Sequence, residues 1–136
     1  MSECVFCRII KGEIPCTKVY EDNNTLAFLD LNPVNKGHTL VVPKKHSETI
    51  LDTDEKTLRD LVITTKKISK AMMGGLKIKG FNIGINQFEA GGQVVPHLHI
   101  HIIPRLKNDG IKLWPQRKYE NREEMEETAK KIKSLL

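Results

Sequence analysis

The sequence predicts an α+β fold in which about five short antiparallel strands form one sheet, with a central helix and a C-terminal helix. Three patterns carry this prediction. Short β-rich segments alternate with turn residues, one long segment repeats apolar residues at helical spacing, and one segment alternates histidine with aliphatic residues. At 136 residues the chain can bury an ordinary core, and residues 1–136 are expected to form one domain.

The first three predicted strands form a meander. Residues 18–21 and 25–29 are β-rich and are separated by the turn-forming Asp22-Asn23-Asn24. Residues 38–43 form the third strand, which follows Asn35-Lys36-Gly37. Short turns of this kind join neighbouring strands in an antiparallel arrangement.

The central helix is predicted between the cap candidates Asp52-Thr53-Asp54 and the stop signal Gly74-Gly75. Between them, residues suited to a core-facing stripe recur at helical spacing: Leu58, Leu61, Val62, Thr65, Ile68 and Met72. The segment is therefore expected to be one amphipathic helix that packs on the sheet.

The last third of the chain supplies two strands and a final helix. Strands are predicted at 81–85 and 97–103, and the irregular segment 106–119 is expected to dock through Trp114-Pro115. The final helix begins near Asn121, with Glu124 as its capping-box partner. Its expected buried stripe is Met125, Ala129, Ile132 and Leu136.

Composition narrows the class of protein. The chain has three cysteines, no secretory signal pattern at its N-terminus and no apolar run of membrane-spanning length, so a soluble, cytoplasmic protein without a membrane partner is expected. The formal net charge of +5 favours an anionic partner, either a phosphorylated metabolite or a nucleic acid. Because 17 acidic residues are interspersed among 22 basic ones, solubility alone also explains the surplus.

The segment 97–103 carries three histidines on one face. On a strand, His97, His99 and His101 point one way, and the aliphatic residues between them point the other way into the core. From His97 to His101 the backbone spans roughly 13 Å at about 3.3 Å per residue. A single zinc ion holds each nitrogen at about 2.0–2.1 Å, so it cannot bind all three. At least one histidine is therefore available for other chemistry.

The sequence Cys4-Val5-Phe6-Cys7 is a C-x-x-C motif, which is typical of a zinc half-site or a redox pair. Too few residues precede it to supply the strand of a thioredoxin-like unit, so zinc is preferred. A structural site needs two more ligands, and His46 and His97 are available. On this motif alone, two unrelated buried thiols explain the pattern about equally well. Cys16 is interpreted as a packing residue.

The remaining pair, His99 and His101, suits acid–base and nucleophilic chemistry near neutral pH. A neutral imidazole can attack phosphorus to give a covalent intermediate, and the leaving group then needs a proton. A second histidine on the same face can supply that proton. We therefore predict that His99 is the nucleophile and His101 the proton donor.

These residues resemble the histidine triad (HIT) family, whose motif alternates three histidines with aliphatic residues. The chain is most similar to the HINT-like branch of nucleoside phosphoramidases and related nucleotide hydrolases. The resemblance covers nearly the whole chain and rests on these segments: Cys4-Val5-Phe6-Cys7-Arg8-Ile9-Ile10, Phe28-Leu29-Asp30-Leu31-Asn32-Pro33, the run from Gly37 through His46, Asn86 with Gly91-Gly92-Gln93, and His97-Leu98-His99-Ile100-His101-Ile102-Ile103.

The resemblance implies a HIT-like α+β fold whose sheet extends across a homodimer. It also implies that His99 attacks the α-phosphorus of a purine nucleoside phosphoramidate, an acyl adenylate or a dinucleotide, and that His101 assists the leaving group. The nucleotide would be held by Phe6, Ile10, Phe28 and Leu31 at the base, by Asp30 at the ribose, and by Asn86, Gly92, Gln93 and Val94 at the phosphate. Some members carry one structural Zn²⁺ per chain on residues that correspond to Cys4, Cys7, His46 and His97.

One departure and several alternatives accompany the resemblance. Where some HINT proteins have a phosphate-contacting serine, this chain has Val94, so backbone N–H groups would have to serve there. From the residues alone, a turn is the preferred explanation of Asp30. His38 is interpreted as structural or surface-exposed, and Arg105 either steers anions or caps its strand.

Two other functional classes compete with a hydrolase. The protein could be a nucleotide-binding regulatory adaptor whose hydrolysis is incidental, and a dinucleoside polyphosphate hydrolase is a variant of the leading hypothesis. A small zinc-dependent nucleic-acid binder is the least favoured class, because aromatic residues make up only 5% of the chain and no basic stripe with interleaved aromatics is present.

Overall fold

The computed structural model describes residues 4–136 and contains a five-stranded antiparallel sheet with helices on both faces. The strands lie in the order β1-β2-β3-β5-β4. The elements are α1 (Val5–Ile10), β1 (Lys18–Glu21), β2 (Thr25–Leu29), β3 (Thr39–Pro43), α2 (Glu55–Gly75), β4 (Gly80–Gly84), β5 (Ile100–Arg105) and α3 (Arg122–Lys133), with 3-10 turns at Ile50–Asp52 and Glu89–Gly91. Among residues 4–136, no helix is long and apolar enough to cross a membrane.

Alternate residues of the central strands bury opposite faces of the sheet. On one face, α2 packs over a core of Ala27, Val41, Leu61, Ile68, Met72, Ile78, Leu98, Ile100 and Ile102. On the other face, α1 contributes Phe6 to a smaller core with Leu26, Phe28, Leu40 and Val42. β5 buries Ile100 and Ile102 under α2. Because side chains alternate between the two faces of a strand, His101 points toward the α1 face.

Most predicted elements are confirmed within one or two residues. The bounds of β1 and β2 are those predicted, and β3 begins one residue later than expected. Asp54 caps α2, because its carboxylate accepts a hydrogen bond from the Thr57 amide at 3.1 Å. The six-residue helix α1 was not predicted, since it is too short to show a clear helical period.

The predicted strand 97–103 is wrong at its start, because β5 begins only at Ile100. Pairing with β3 ends at Val41 opposite Ile100. Beyond that pair, the Leu98 amide donates to the Ser47 carbonyl instead of to a strand, and the Pro43 carbonyl accepts from the His97 side chain. His97 and His99 therefore lie on an irregular segment whose backbone groups serve the site.

The expected burial of α3 and docking of Trp114 are also wrong. Asn121 caps α3 as predicted, accepting from the Glu124 amide at 2.8 Å, yet no residue of α3 is buried. Ile132 in its apolar stripe is 61% exposed, and the Trp114 side chain is 85% exposed. Periodicity identified the amphipathic helix correctly, but this chain provides no surface that covers its apolar side.

Candidate functional site

Four predicted metal ligands, which come from three segments of the chain, meet beside α1. The ligand atoms of Cys4, Cys7, His46 and His97 all lie within 4.8 Å of one another. The distance from Sγ to Nδ1 is 3.4 Å for Cys4–His97, 3.3 Å for Cys7–His46 and 3.6 Å for Cys7–His97, and the Nδ1 atoms of His46 and His97 lie 3.0 Å apart. A tetrahedral zinc ion separates its sulfur and nitrogen ligands by about 3.3–3.8 Å. The donor set therefore fits a structural zinc ion.

The hydrogen bonding of His97 leaves the correct nitrogen for a metal. Its Nε2–H donates to the Pro43 carbonyl at 2.8 Å, so the lone pair of the neutral ring is on Nδ1, which faces the two thiols. The ring is fully buried, and this burial, with lesser repulsion from neighbouring histidines, lowers the pKa of His97 to about 4. His97 is thus a neutral ring held in one orientation.

His99 is oriented by the backbone of His97. Its Nδ1–H donates to the His97 carbonyl at 2.6 Å, so the lone pair of the neutral ring is on Nε2. Burial lowers the pKa of His99, and the edge of Phe6 packs against its ring with the centroids 5.1 Å apart. A neutral imidazole with a fixed Nε2 lone pair is suited to nucleophilic attack.

His101 has the opposite tautomer because of a chain of hydrogen bonds through His38. The Val34 amide donates to His38 Nδ1 at 3.1 Å, so the proton of the neutral His38 ring is on Nε2. His38 Nε2 lies 2.9 Å from His101 Nδ1 and donates to it, which places the His101 proton on Nε2. Burial, with repulsion from His99 and His38, lowers the pKa of His101 to about 4.

The Nε2–H of His101 is a buried donor without a partner among the described residues. A buried polar group in this condition calls for an explanation, and a bound ligand is one. The rings of His99 and His101 lie with their centroids 4.9 Å apart. The site thus pairs a nucleophilic nitrogen with an adjacent proton donor.

Asp30 forms the turn that the residues alone predicted, and its role at the ribose stays a prediction. Its Oδ1 accepts from the Asn32 amide at 2.8 Å, as in an Asx turn, and its Oδ2 lies 3.7 Å from His38 Nε2. Asp30, His38 and His101 also lie close enough together to hold a cation. Because the Val34 amide directs the His38 proton to Nε2, however, this cluster is better described as a hydrogen-bonded chain than as a metal site.

The loop between β4 and β5 brings the predicted phosphate contacts to the site. Asn86 lines a cavity with His38 and His101. The Gln93 side chain holds the loop by accepting from the Phe88 amide and donating to the Glu48 carbonyl, at 2.8 and 2.7 Å. The amides of Gly92 and Gln93 donate to Glu89 and Phe88. Of the three predicted backbone donors, Val94 alone has no hydrogen bond within residues 4–136.

The same loop stores backbone strain at Phe88, whose φ is 60° and ψ is 169°. This conformation is rare outside glycine and costs about 1–3 kcal/mol. The Phe88 carbonyl accepts from the amides of Gly91 and Gln93, which hold the residue in place. These two hydrogen bonds indicate a preorganised loop.

Only some of the residues predicted to contact the nucleotide base lie together in the structure. Phe6 and Phe28 are buried, with their ring centroids 5.5 Å apart, and Ile10 packs at the edge of this cluster. Leu31, by contrast, is 91% exposed and lies outside the cluster. The aromatic pair forms a wall next to His99, and Leu31 remains free to contact a ligand.

His38 is the site residue that sequence reasoning missed. Of the two alternatives stated for it, the surface position is wrong and the structural one is confirmed, because His38 is buried against His101. The preceding Gly37 has a φ of 95°, and a Cβ there would lie 2.5 Å from Leu76 Cδ1, so the tight turn that positions His38 requires glycine. His38 directly precedes β3, and the pairing of β3 with β5 that brings it to His101 leaves no signal in the neighbouring sequence.

Comparison with known proteins agrees with this geometry. A family model described as HIT domain matches residues 11–108. The chain is 48% identical over 113 residues to an uncharacterized HIT-like protein of Borreliella burgdorferi, covering 82% of this chain and 81% of that protein. It is 38% identical over 114 residues to adenosine 5'-monophosphoramidase hnt1 of Schizosaccharomyces pombe, covering 82% and 83%. Adenylylsulfatase HINT3 of Arabidopsis thaliana is 43% identical over 108 residues, which cover 79% of this chain and 55% of that protein.

Solved structures share the architecture. A Streptococcus mutans protein, SMU.412c, aligns with a TM-score of 0.91 and 36% identity over 98% of this chain and 85% of its own. A zinc-bound histidine triad family protein from Mycobacterium smegmatis aligns with a TM-score of 0.77 and 36% identity over 98% of both chains. With a matching family model, relatives at this identity and the assembled histidine triad, the chain belongs to the histidine triad (HIT) family.

Proposed function

We propose that the protein is a nucleotide hydrolase that cleaves purine nucleoside phosphoramidates, or related adenylated compounds, through a covalent nucleotidyl-His99 intermediate. The observation that carries this proposal is the pair of opposite tautomers, with a lone pair on His99 Nε2 and a proton on His101 Nε2. The activities named for two relatives, a monophosphoramidase and an adenylylsulfatase, support the substrate class.

The first step uses both tautomers. His99 Nε2 attacks the α-phosphorus, and the bond from phosphorus to the leaving group breaks. His101 Nε2–H donates a hydrogen bond to the departing nitrogen, which takes the proton it needs from solvent, so the His101 ring stays neutral. The imidazole of the intermediate carries a positive charge. The His97 carbonyl, which accepts from His99 Nδ1–H at 2.6 Å, stabilises that charge.

The second step hydrolyses the intermediate. Water attacks the phosphorus of nucleotidyl-His99 and loses a proton to solvent. The phosphorus–nitrogen bond breaks, which releases the nucleoside monophosphate and restores the neutral ring of His99. His38 acts as a positioning residue, since its Nε2–H at 2.9 Å keeps His101 Nδ1 as an acceptor throughout.

The nucleotide contacts follow from the same orientation. The Phe6–Phe28 wall beside His99 supports a base site that Ile10 and Leu31 complete, with Asp30 at the ribose hydroxyls. At the phosphate we assign the Asn86 side chain and the Val94 amide, and Gly92 allows the chain a close approach with its φ of 88°. Gln93 would act by holding this loop.

We also propose that Cys4, Cys7, His46 and His97 hold one Zn²⁺ per chain. Two thiolates and two imidazoles form the closed, four-ligand set of structural zinc sites, which stabilise a fold by cross-linking it. Here the four residues tie α1 to the segments that follow β3 and precede β5. The zinc-bound relative from Mycobacterium smegmatis supports this proposal.

The activity is tested with a substrate panel. Adenosine and guanosine phosphoramidates, an aminoacyl adenylate, adenylyl sulfate and a diadenosine polyphosphate are compared by kcat/KM, and the adduct is trapped by acid-free quenching and mapped by mass spectrometry. We expect turnover of at least one phosphoramidate and a nucleotidyl group on His99. Tight nucleotide binding without turnover of any substrate would instead support the adaptor class.

The His101→Ala variant should show a dependence on the leaving group. Loss of a hydrogen-bond donor that stabilises charge developing in the transition state costs about 10²–10³-fold in rate. We therefore expect that loss for an amine leaving group and a much smaller one for sulfate, which departs as a stable anion. Equal losses on both substrates would show that His101 does not act on the leaving group.

The pH dependence follows from burial. Because the pKa of His99 is lowered from its ordinary value of 6.5, protonation of its lone pair occurs only below that pH. We expect kcat/KM for a phosphoramidate to stay near its plateau from pH 8 to 6.5 and to fall only in more acidic solution, after subtraction of the enzyme-free reaction. An acid limb centred above pH 6.5 would contradict a buried, neutral nucleophile.

We further propose that the protein is a homodimer. The apolar stripe of α3 is uncovered in the single chain, and β4 is an edge strand with a free side for pairing. Light scattering after size-exclusion chromatography should give twice the mass of one chain at micromolar concentration. A monomeric mass at that concentration would contradict the proposal.

A further inference from the structure

The two thiols of the proposed zinc site come from one short stretch of chain at the protein surface. Cys4 directly precedes α1, and Cys7 lies in the first turn of that helix. Both side chains are half-buried, and the neighbouring His46 is exposed. The two Sγ atoms lie within 4.8 Å of each other. A small dissolved molecule can therefore reach the pair, and the fold already holds the two sulfur atoms close together.

This arrangement has the parts that reversible thiol oxidation needs. Zinc binds cysteine in the thiolate form, which is also the form that oxidants attack. A second thiol nearby then converts the first oxidation product into a disulfide. Cys4 and Cys7 supply both sulfur atoms from one C-x-x-C motif, whereas Cys16 lies outside the cluster.

His97 connects the thiol pair to the proposed nucleophile. Its Nδ1 lies 3.4 Å from Cys4 Sγ and 3.6 Å from Cys7 Sγ. Its backbone carbonyl accepts from His99 Nδ1–H at 2.6 Å. One residue thus belongs both to the metal cluster and to the support of His99. Because the His97 ring is fully buried, a change in its ligand set displaces atoms that the nucleophile depends on.

Phe6 provides a second connection, because it lies between the two cysteines in the sequence. Its ring centroid is 5.1 Å from that of His99 and 5.5 Å from that of Phe28. A disulfide requires the two sulfur atoms to approach to about 2.05 Å, which rearranges the first turn of α1. That rearrangement moves the aromatic wall beside His99.

We infer that Cys4 and Cys7 form a redox switch, in which oxidation to a disulfide by hydrogen peroxide expels the zinc ion and lowers the activity of His99. The inference rests on the proposed zinc site and hydrolase function and adds a means of regulating them.

The step consumes one peroxide for each pair of thiolates. One thiolate attacks a peroxide oxygen, the O–O bond breaks, and a sulfenic acid forms as hydroxide leaves. The other thiolate attacks the sulfenic sulfur, the S–S bond forms, and a second hydroxide leaves. The sulfur atoms together lose the two electrons that reduce the peroxide, and two protons from solvent convert the hydroxides to water. Zn²⁺ loses two of its four ligands and dissociates.

The test follows zinc, sulfur and activity in one sample of the zinc-loaded protein. Hydrogen peroxide is added in small molar excess, and released zinc is measured with a chromogenic chelator that leaves the reduced protein loaded. We expect one zinc ion released per chain and a Cys4–Cys7 disulfide in the peptide map. The kcat/KM for an adenosine phosphoramidate should fall about 10- to 100-fold. Dithiothreitol with added zinc should restore the thiols, the metal and the activity.

Two variants locate the effect, and the zinc content of each is measured before oxidation. Cys7→His keeps a zinc-binding side chain but leaves one thiol in the cluster, so peroxide should form no disulfide there and release little zinc. Cys16→Ser is the matched control, because it removes a half-buried thiol outside the cluster. It should release zinc and form the Cys4–Cys7 disulfide as the unmodified protein does.

The outcomes separate this inference from the proposals on which it rests. Purified protein without zinc would contradict the metal site itself. Zinc-loaded protein that keeps its metal and both thiols in peroxide would overturn the switch alone, as would zinc release that Cys16→Ser abolishes. A complete Cys4–Cys7 disulfide with unchanged kcat/KM would overturn the coupling to His99. Protein that hydrolyses no phosphoramidate would contradict the hydrolase, while zinc release and the peptide map would still test the oxidation.

Discussion

Replacement of His99 by alanine is expected to lower kcat for a nucleoside phosphoramidate by at least about a thousand-fold, because it removes the only atom that forms the covalent intermediate. The lone pair on His99 Nε2 depends on the 2.6 Å hydrogen bond from Nδ1 to the His97 carbonyl, and no other described nitrogen is held in that way beside a proton donor. Single-turnover kinetics with mass spectrometry of the quenched enzyme would measure the loss of both product and adduct.

A second variant separates chemistry from folding. Asparagine at position 99 keeps an N–H donor for the His97 carbonyl but offers no nucleophilic nitrogen, so His99→Asn should fold normally and be equally inactive. Circular dichroism and the affinity for adenosine monophosphate provide the controls, and both variants should retain that affinity within about 10-fold. Substantial turnover by His99→Asn would refute covalent catalysis by this residue.

Loss of the cysteine ligands should have the second largest effect, and it should act on stability. The cluster of Cys4, Cys7, His46 and His97 joins segments that are distant in sequence, and removal of a structural metal is among the few changes that cost about 4 kcal/mol or more. We expect one zinc ion per chain by elemental analysis, and little or none in Cys4→Ser. The free energy of unfolding, from denaturant titration, should fall accordingly.

Cys16→Ser is the matched control, because Cys16 is a half-buried thiol that packs on the smaller core and lies outside the cluster. It should change stability by about 1 kcal/mol or less and leave the zinc content unaltered.

In Cys4→Ser, hydrogen exchange should show that the loss of stability is located at α1. Catalysis should fall with it, since His97 also supplies the carbonyl that orients His99. Purified wild-type protein that is metal-free and fully stable would contradict the zinc site.

Local patterns predicted most of the fold. The bounds of β1 and β2, the extent of α2 and the cap of α3 follow from turn residues, helical periodicity and capping side chains, which act between neighbours in the chain. The start of β5 could not be predicted in this way. It depends on where β3 stops pairing, and the Pro43 carbonyl ends the ladder by accepting from a side chain 54 positions away.

The same distinction applies to the site. Strand geometry excluded a single metal ion bound by all three histidines, and the structure places His97 and His101 in separate clusters, one with the cysteines and one with His38. The role of His38 was not predicted, since its neighbours in sequence give no reason for burial. Only the pairing of β3 with β5 brings it within 2.9 Å of His101.

The sequence by itself determined most of the secondary structure, the grouping of Cys4 and Cys7 with two histidines, and the family, because each depends on residue types at short, regular spacings. The tertiary structure decided which nitrogen of each histidine carries the proton, since the Val34 amide and the carbonyls of Pro43 and His97 make that choice across strands. It also decided that the segment after Arg105 turns back over His101, because the ion pair with Asp109 forms only in the folded chain. Residue types thus supply the reactive groups, and long-range hydrogen bonds assign each group its role.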